Sequence, residues 1–416
     1  MARQSKVDAT HNFLSLYLHH AGKSEIPTAY HKWACLSLLA ALVRDNVWYE
    51  KYARIKLTPH LYVWLISASG TGKDIAARVA QNMLKHVNGI RLYQGRTSSA
   101  ALIDYMYRIP KGASFADPRI WLLSTELANS IGSGGAADAF VKFTTDIYSG
   151  KDPDVPWQDM TRYSGVKQLT SPLINWFAGT TRTWLCQCVT MADIMGGFFA
   201  RVCPVEVEVP VDLRIRQPTY PWDYQQTLDH LYQRVELYAN AEGVFTMSPD
   251  ADAIDRQWYD NRPAPHDDRL LPTWRRQHEI VLKLSQLYAL CEWEDLAAPF
   301  IIDVPHLVAA QKDASYFLKM TTSLLDYAAT TNVDAAAMLL VANYIKKHEA
   351  VRKSRLLKEV YRDGISAEML HRICETLQQA GEITIHQPEG VQASTRNPTY
   401  LWQRRKMHLQ EVPLPR

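Results

Sequence analysis

Residues 61–77 read LYVWLISASGTGKDIAA, and no other stretch limits the fold as tightly. An apolar run of strand length, LYVWLI, meets a loop of small residues, SASGTG. A lysine then opens an amphipathic stretch, IAARVAQNMLKHV. Strand, tight loop and helix is the layout in which backbone N–H groups wrap phosphates. Gly70 and Gly72 permit the tight path, and Lys73 has the reach to meet β- and γ-phosphates. The helix starting near Asp74 brings a positive dipole end. The expected contact set is Ser67, Ser69, Gly70, Thr71, Gly72, Lys73 and Asp74.

Two positions depart from the usual G-x-x-x-x-G-K-[ST] pattern. Ser67 replaces the first glycine with another small residue. Asp74 replaces the hydroxyl residue that ordinarily binds Mg²⁺. A carboxylate can hold Mg²⁺ directly or through water, but without metal its charge opposes a phosphate. The alternative is a glycine-rich turn with no ligand.

Hydrolysis at such a loop needs an acidic residue to position water and help hold the metal. IWLLSTE (120–126) offers Glu126 as the base, with Ser124 touching the Mg²⁺ shell through water. The alternative is an exposed glutamate capping a helix start. WFAGTTRTW places Thr180 and Thr181 at a strand tip, either sensing the γ-phosphate or serving as ordinary turn residues. MGGFFARV sets Arg201 just before another strand. In a ring such an arginine reaches a neighbour's nucleotide and neutralises transition-state charge; otherwise it is a structural ion pair. Arg276 or Lys283, in RRQHEIVLKLSQL, would contact phosphates from above, or Lys283 would simply snorkel.

Strand candidates LYVWLI, IWLLS, LINWFA and VCPVEVEVPV alternate with helical segments, which points to an α/β sheet. The two prolines of VCPVEVEVPV suit an edge strand. Four regions follow: N-terminal helices over 1–50, an α/β core over 51–211, a helical lid over 212–330 and a C-terminal unit over 331–416. The last reads helix, helix, helix, hairpin. Its Lys353, Arg355, Arg372, Arg404, Arg405 and Lys406 suit contacts to a nucleic-acid backbone, or form a solvated basic face. The helix SAEMLHRICETLQQAG offers little beyond His371, Arg372, Gln378 and Gln379 for reading bases. Either NSIGSGGAAD (129–138) or residues 150–168 could enter a ring's channel. The second mixes Trp157, Arg162, Tyr163 and Lys167 as a single-strand binder would, and could equally be a surface hairpin.

A net charge of +3 on 416 residues excludes a wholly basic DNA-coating protein but not a local patch. The six cysteines are scattered, with only a CxC at Cys186 and Cys188, so reduced thiols are expected rather than zinc. No signal-peptide region or long apolar run is present, which leads us to expect a cytoplasmic protein without a membrane partner. Most of the 12 Trp and 21 Tyr lie inside apolar runs and are expected in cores rather than stacked on bases.

Seven segments stand in a particular order: HKWACLSLLAALV, LYVWLISASGTGKD, GRTSSAALIDYM, IWLLSTELA, INWFAGTTRTWL, MGGFFARVCPV and RRQHEIVLKLSQLYAL. Together they resemble the phage and prophage P-loop proteins related to primase-helicases, over about residues 25–310. The resemblance implies an α/β P-loop NTPase core of the RecA-like or AAA+ type, working with ATP and Mg²⁺. It implies functional roles for Lys73, Glu126 and Arg201. The C-terminal unit resembles winged-helix DNA-binding domains, a fold that also serves protein contacts. No primase or polymerase region is read at either end, so a primase would be a separate protein. The expected function is an ATP-driven ring helicase of phage or mobile-element replication. Its expected partners are single-stranded or forked DNA and further copies of the chain, a hexamer among the ring sizes. The alternative is a nucleotide-gated DNA-binding switch (a loader, an initiator or a defence-system ATPase) with slow or no turnover. A weaker third reading is a transcriptional regulator with an ATPase sensor.

Overall fold

The computed structural model describes residues 12–21, 26–51, 55–110, 113–131, 135–149, 155–161, 165–188, 197–207, 222–331, 333–361, 365–379, 382–386 and 398–402. The chain divides into two compact units, Met1–Leu324 and Leu325–Arg416.

The first unit begins with helices α1 (Phe13–Ala21) and α2 (Thr28–Val43) and strands β1 (Val47–Lys51), β2 (Ile55–Leu57) and β3 (Tyr62–Ile66). Next come α3 (Lys73–Met83), β4 (Arg91–Gln94), α4 (Ser99–Tyr107), β5 (Arg119–Ser124), α5 (Ala128–Ile131) and α6 (Gly135–Ile147). The hairpin β6 (Trp157–Thr161) and β7 (Gly165–Leu169) precedes β8 (Leu173–Thr180), α7 (Arg182–Cys188) and β9 (Val202–Glu206). The unit closes with α8 (Tyr224–Ala239), β10 (Gly243–Met247), α9 (Pro249–Asp260), α10 (Leu271–Glu292), β11 (Phe300–Ile302) and most of α11 (Val304–Thr331).

The central sheet has five parallel strands in the order β4-β5-β8-β3-β9. Parallel strands covered on both faces carry unbroken apolar runs rather than alternation. That is why YVWLI of β3 and LINWFAGT of β8 are buried along their whole length. After β3 the chain crosses to the far edge at β4, steps back through β5 and β8, and passes over β3 to β9. The order therefore reverses around β3, and in open α/β sheets ligands bind at the carboxyl ends of strands at such a reversal. β9 is the edge strand opposite β4, where Pro204 is tolerated for want of a ladder to join on its outer side.

Aromatic side chains fill the core. Trp64, Trp121 and Trp176 are fully buried, and the Trp176 ring lies 5.2 Å from Trp64 and 5.4 Å from Phe140. Helix α2, apolar on all sides, packs beneath the sheet and is anchored by a buried polar knot. Asn175 of β8 donates to Ser37 O at 2.6 Å and accepts from Leu61 N at 2.9 Å. Trp121 donates to Ser37 Oγ at 3.0 Å. Each buried polar group in the knot has a partner, so it costs little and fixes the register of α2 against β3 and β8.

A second sheet, in the order β11-β10-β1-β2, corrects the expectation that 1–50 and 212–330 are purely helical. β1 and β10 pair in parallel, as do β10 and β11, while β2 runs antiparallel to β1. These strands have three to five residues each; β1, β10 and β11 are joined by pairings far apart in sequence, while β2 pairs with its neighbour β1. β4, RLYQ, is a further strand the sequence pattern does not announce.

Within residues 150–168 the described part lies in a two-stranded antiparallel hairpin, β6 and β7. Trp157 donates to Asp146 at 2.6 Å and Lys167 pairs with Asp104, so both side chains turn toward the body of the unit. Arg162 and Tyr163 lie outside the described residues.

The second unit contains α12 (Val333–His348), β12 (Ala350–Arg352), α13 (Lys353–Val360), α14 (Ala367–Gln379), β13 (Ile383–His386) and β14 (Thr399–Trp402). Its three strands form an antiparallel sheet, β12-β14-β13. Val341, Ile345, Leu356, Leu370, Ile373 and Tyr400 make its own core. Ser366 caps α14 by accepting from Met369 N at 3.2 Å. Among the described residues no helix is long and apolar enough to cross a membrane.

Candidate functional site at the carboxyl edge of the sheet

Three polar segments meet where β5, β8 and β3 end. The first is the loop after Ile66. Its root is fixed by Ser67 N donating to Thr180 O at 3.1 Å. Gly70 (φ 77°) and Gly72 (φ 82°) take the left-handed conformation that other residues adopt only with strain. Gly72 caps α3, its carbonyl accepting from Ile75 N and Ala76 N. Among the described residues, no acceptor engages the N–H groups of Gly72, Lys73 or Asp74. These donors and the helix dipole together favour an anion.

The Lys73 side chain folds back over the loop. Its Nζ donates to Ser67 O at 2.9 Å, Ser67 Oγ at 3.0 Å and Ala68 O at 2.8 Å. Ser67 Oγ lies 2.6 Å from Thr71 Oγ1, which donates to Ala68 O at 3.0 Å. The hydroxyl that replaces a glycine at 67 thus braces the loop. Half-burial holds the Lys73 amine below the ordinary lysine value, while the nearby Glu126 and Asp74 carboxylates act in the opposite direction. Asp74 is exposed and lies 3.9 Å from Arg78 one turn on. Ser69 and Gly70 are exposed, Thr71 and Gly72 buried.

The second segment follows β5. Leu127 N donates to Gly179 O at 2.8 Å, and this fixes the turn that presents the exposed Glu126. The third segment follows β8. Thr180 is buried, its hydroxyl donating to Thr181 O at 3.3 Å. Thr181 Oγ1 accepts from Trp184 N at 3.3 Å and so caps α7. Gly179 is a site residue that the letter sequence did not single out. A Cβ there would lie 2.7 Å from Thr125 O and 3.6 Å from Lys73 Cβ. The missing side chain lets the loop lysine and the Glu126 turn approach each other.

Ser124 does not reach this site. It is buried, accepts from Trp176 Nε1 at 3.1 Å and shares a hydrogen bond with Ser130 Oγ. Its hydroxyl is spent inside the core, which corrects its assignment to the metal shell. Among the described residues no three His, Cys, Asp or Glu side chains cluster as a metal site. A metal carried by phosphates would need only Asp74 and water from this chain.

Arg201 and Lys283 lie at the opposite edge. Arg201 directly precedes β9, whose Val202 is level with Tyr62 at the amino end of β3. A five-residue strand, at about 3.3 Å per residue, separates that level from the loop. Arg201 is buried, donates to Gly197 O at 2.6 Å and has its guanidinium 5.6 Å from the Tyr148 ring. Lys283 of α10 is wholly buried. Its Nζ sits 3.1 Å from His60 Nε2, 3.3 Å from His60 O, 3.8 Å from Glu279 and 3.9 Å from the Tyr148 ring. Arg276 pairs with Glu279 at 3.2 Å. Lys283 therefore does not contact phosphates at the Lys73 loop of its own chain, which corrects that expectation.

In the second unit, Arg355 and Arg372 are exposed and Lys353 is partly so. His371 lies 3.5 Å from Glu375. Arg404, Arg405 and Lys406 lie outside the described residues. No protein-family model and no curated protein matches the chain.

Proposed function

We propose that this chain is a P-loop ATPase of the RecA-like or AAA+ type that uses ATP and Mg²⁺ to move on DNA, as a ring in phage or mobile-element replication. The observation that carries the reading is the meeting of the Gly72–Lys73 helix start, the Glu126 turn and Thr180 at the carboxyl ends of adjacent parallel strands. The free N–H groups of Gly72, Lys73 and Asp74 fit a row of phosphate oxygens, and the Lys73 amine would exchange its loop carbonyls for them. Mg²⁺ would supply charge neutralisation there, with Asp74 as the protein ligand. Glu126 would orient water and take its proton. Arg201, buried at the amino edge, does not reach the Lys73 loop of its own chain, so a role on nucleotide would require a neighbouring copy and its release from Gly197 O. The second unit reads helix, strand, helix, helix, hairpin, with β12 adding a third strand to the expected hairpin; this order and the exposed Arg355 and Arg372 support a winged helix on DNA.

The second reading, a nucleotide-gated loader, initiator or defence switch, is favoured by Asp74, whose charge opposes phosphate until metal is present. Turnover separates the two. Steady-state ATP hydrolysis with Mg²⁺, measured with and without single-stranded DNA, is expected to rise with DNA for a motor. Tight ATP binding with negligible hydrolysis under both conditions would leave the switch.

The site also makes Gly179 sensitive. The Gly179→Ala variant is expected to lose about 10²-fold in hydrolysis, because a shift of about 1 Å in the Glu126 turn misplaces the base. Unchanged kinetics in a folded Gly179→Ala protein would show that Glu126 is not at work.

A further inference from the structure

Arg182 spans the root of the loop that carries Lys73. Thr180, Ile66 and Glu206 are level across β8, β3 and β9. β8 and β9 stand two strand spacings apart, about 10 Å. Arg182, two residues beyond Thr180, bridges that gap over the end of β3. Its Nη2 reaches Glu206 Oε2 at 2.7 Å and Ser323 Oγ of α11 at 2.5 Å. About two turns earlier on α11, Tyr316 holds the same strand end, its hydroxyl accepting from Glu206 N at 3.0 Å and donating to Glu206 O. Helix α11 is thus fastened to the end of β9 by Tyr316 and to the end of β8 by Arg182. On the other side of Arg182 lie Thr181 and Thr180, and the carbonyl of Thr180 anchors Ser67 of the loop.

We propose that Arg182 is a positioning residue that couples the nucleotide loop to helix α11 within the first unit. The proposal rests on the nucleotide-binding reading above. When the loop rearranges around phosphate, Thr180 and Thr181 move with its root, and the guanidinium passes that shift to Ser323 and Glu206. Charge-assisted bonds from a planar guanidinium hold two acceptors in fixed directions, which a lysine ammonium does less well. The Arg182–Glu206 pair is partly buried, with 28% and 22% of the two side chains exposed, so water screens it only in part.

The test is hydrogen exchange in the segment 313–324 of the full chain, with and without a slowly hydrolysed ATP analogue and Mg²⁺. In the unaltered protein, analogue binding is expected to change exchange there by about fivefold or more, the low end of ordinary coupling. Arg182→Met is expected to abolish that response while analogue affinity stays within about twofold, a shift too small to count as coupling. Arg182→Lys should restore part of it, and Ser323→Ala should weaken it. A full response in Arg182→Met, or a silent α11 in an unaltered protein that binds the analogue through Lys73, overturns the coupling alone. Absence of any Lys73-dependent binding overturns the nucleotide reading, and the coupling falls with it.

Discussion

The Lys73→Ala variant is expected to hydrolyse ATP at least about 10²-fold more slowly than the unaltered protein, with weaker nucleotide binding. Three hydrogen bonds now tie the amine to Ser67 and Ala68. They brace the loop, and their oxygens are the ones the amine would leave for a phosphate under the proposed function. Alanine removes both the brace and the only lysine charge in the loop. The fold should survive the change. The left-handed start of α3 is set by Gly72 rather than by Lys73, alanine favours a helix, and Ala68 to Gly70 are already exposed. A melting temperature within a few degrees of the unaltered protein would establish that point. Glu126→Gln supplies the contrast. It keeps shape and should preserve binding while lowering turnover about 10²- to 10⁴-fold, the span of general-base catalysis. If Lys73→Ala binds and turns over ATP as the unaltered chain does, phosphate is not held at this loop.

What the sequence displays depends on whether the physical cause is local. β3, β5 and β8 are legible because a strand buried on both faces is an uninterrupted apolar run, and the loop is legible because only glycine fits its left-handed turns. β1, β10 and β11 are not, because they are short and only partly buried, so they carry no unbroken apolar run, and β10 joins β1 to β11 only through pairings distant along the chain. The difference between Glu126 and Arg201 has a simple origin. Lys73, Glu126 and Thr180 follow their strands, and Arg201 precedes its strand. In a parallel sheet that puts Arg201 at the other edge, a deduction available from the letters once the strands are known to be parallel. Lys283 stands out as a lysine on an apolar helix, but its partner His60 lies in another part of the sequence and nothing local points to it. Gly179 and Arg182 stand out only in three dimensions, where a Cβ at 179 would come within 2.7 Å of Thr125 O and the Arg182 guanidinium reaches Glu206 at the end of β9. Such effects belong to the assembled sheet and leave no mark at a single position.

Lys283→Met is expected to stabilise the protein by a few kcal/mol at pH 6, and the gain should shrink as pH rises toward 10. Burial lowers the Lys283 amine from the ordinary lysine value to about 7, with Arg276 and Arg201 adding to the shift and Glu279 and Cys203 opposing it. Its nearest nitrogen neighbour does not welcome an ammonium. His60 Nε2 lies 2.6 Å from Tyr148 O, a carbonyl that can only accept, so Nε2 carries the proton and presents no lone pair to Nζ. Burial also holds His60 well below its usual value, so it stays neutral. The sign follows from proton counts. Below about pH 7 the lysine is charged in both folded and unfolded chains, and the folded state bears the full cost of burying that charge. Between about 7 and the ordinary lysine value, the unfolded chain holds a proton that the folded one lacks, so stability climbs with pH. Methionine fills a similar volume without the charge, and Glu279 keeps Arg276 as its partner. Denaturant unfolding of both proteins at pH 6, 8 and 9.5 would read the difference. A variant less stable at every pH would mean that Glu279, His60 O and the Tyr148 ring hold Lys283 as a favourable buried cation. Since Lys283 sits at the opposite edge from Lys73, its replacement should leave Lys73-dependent nucleotide binding intact in either case.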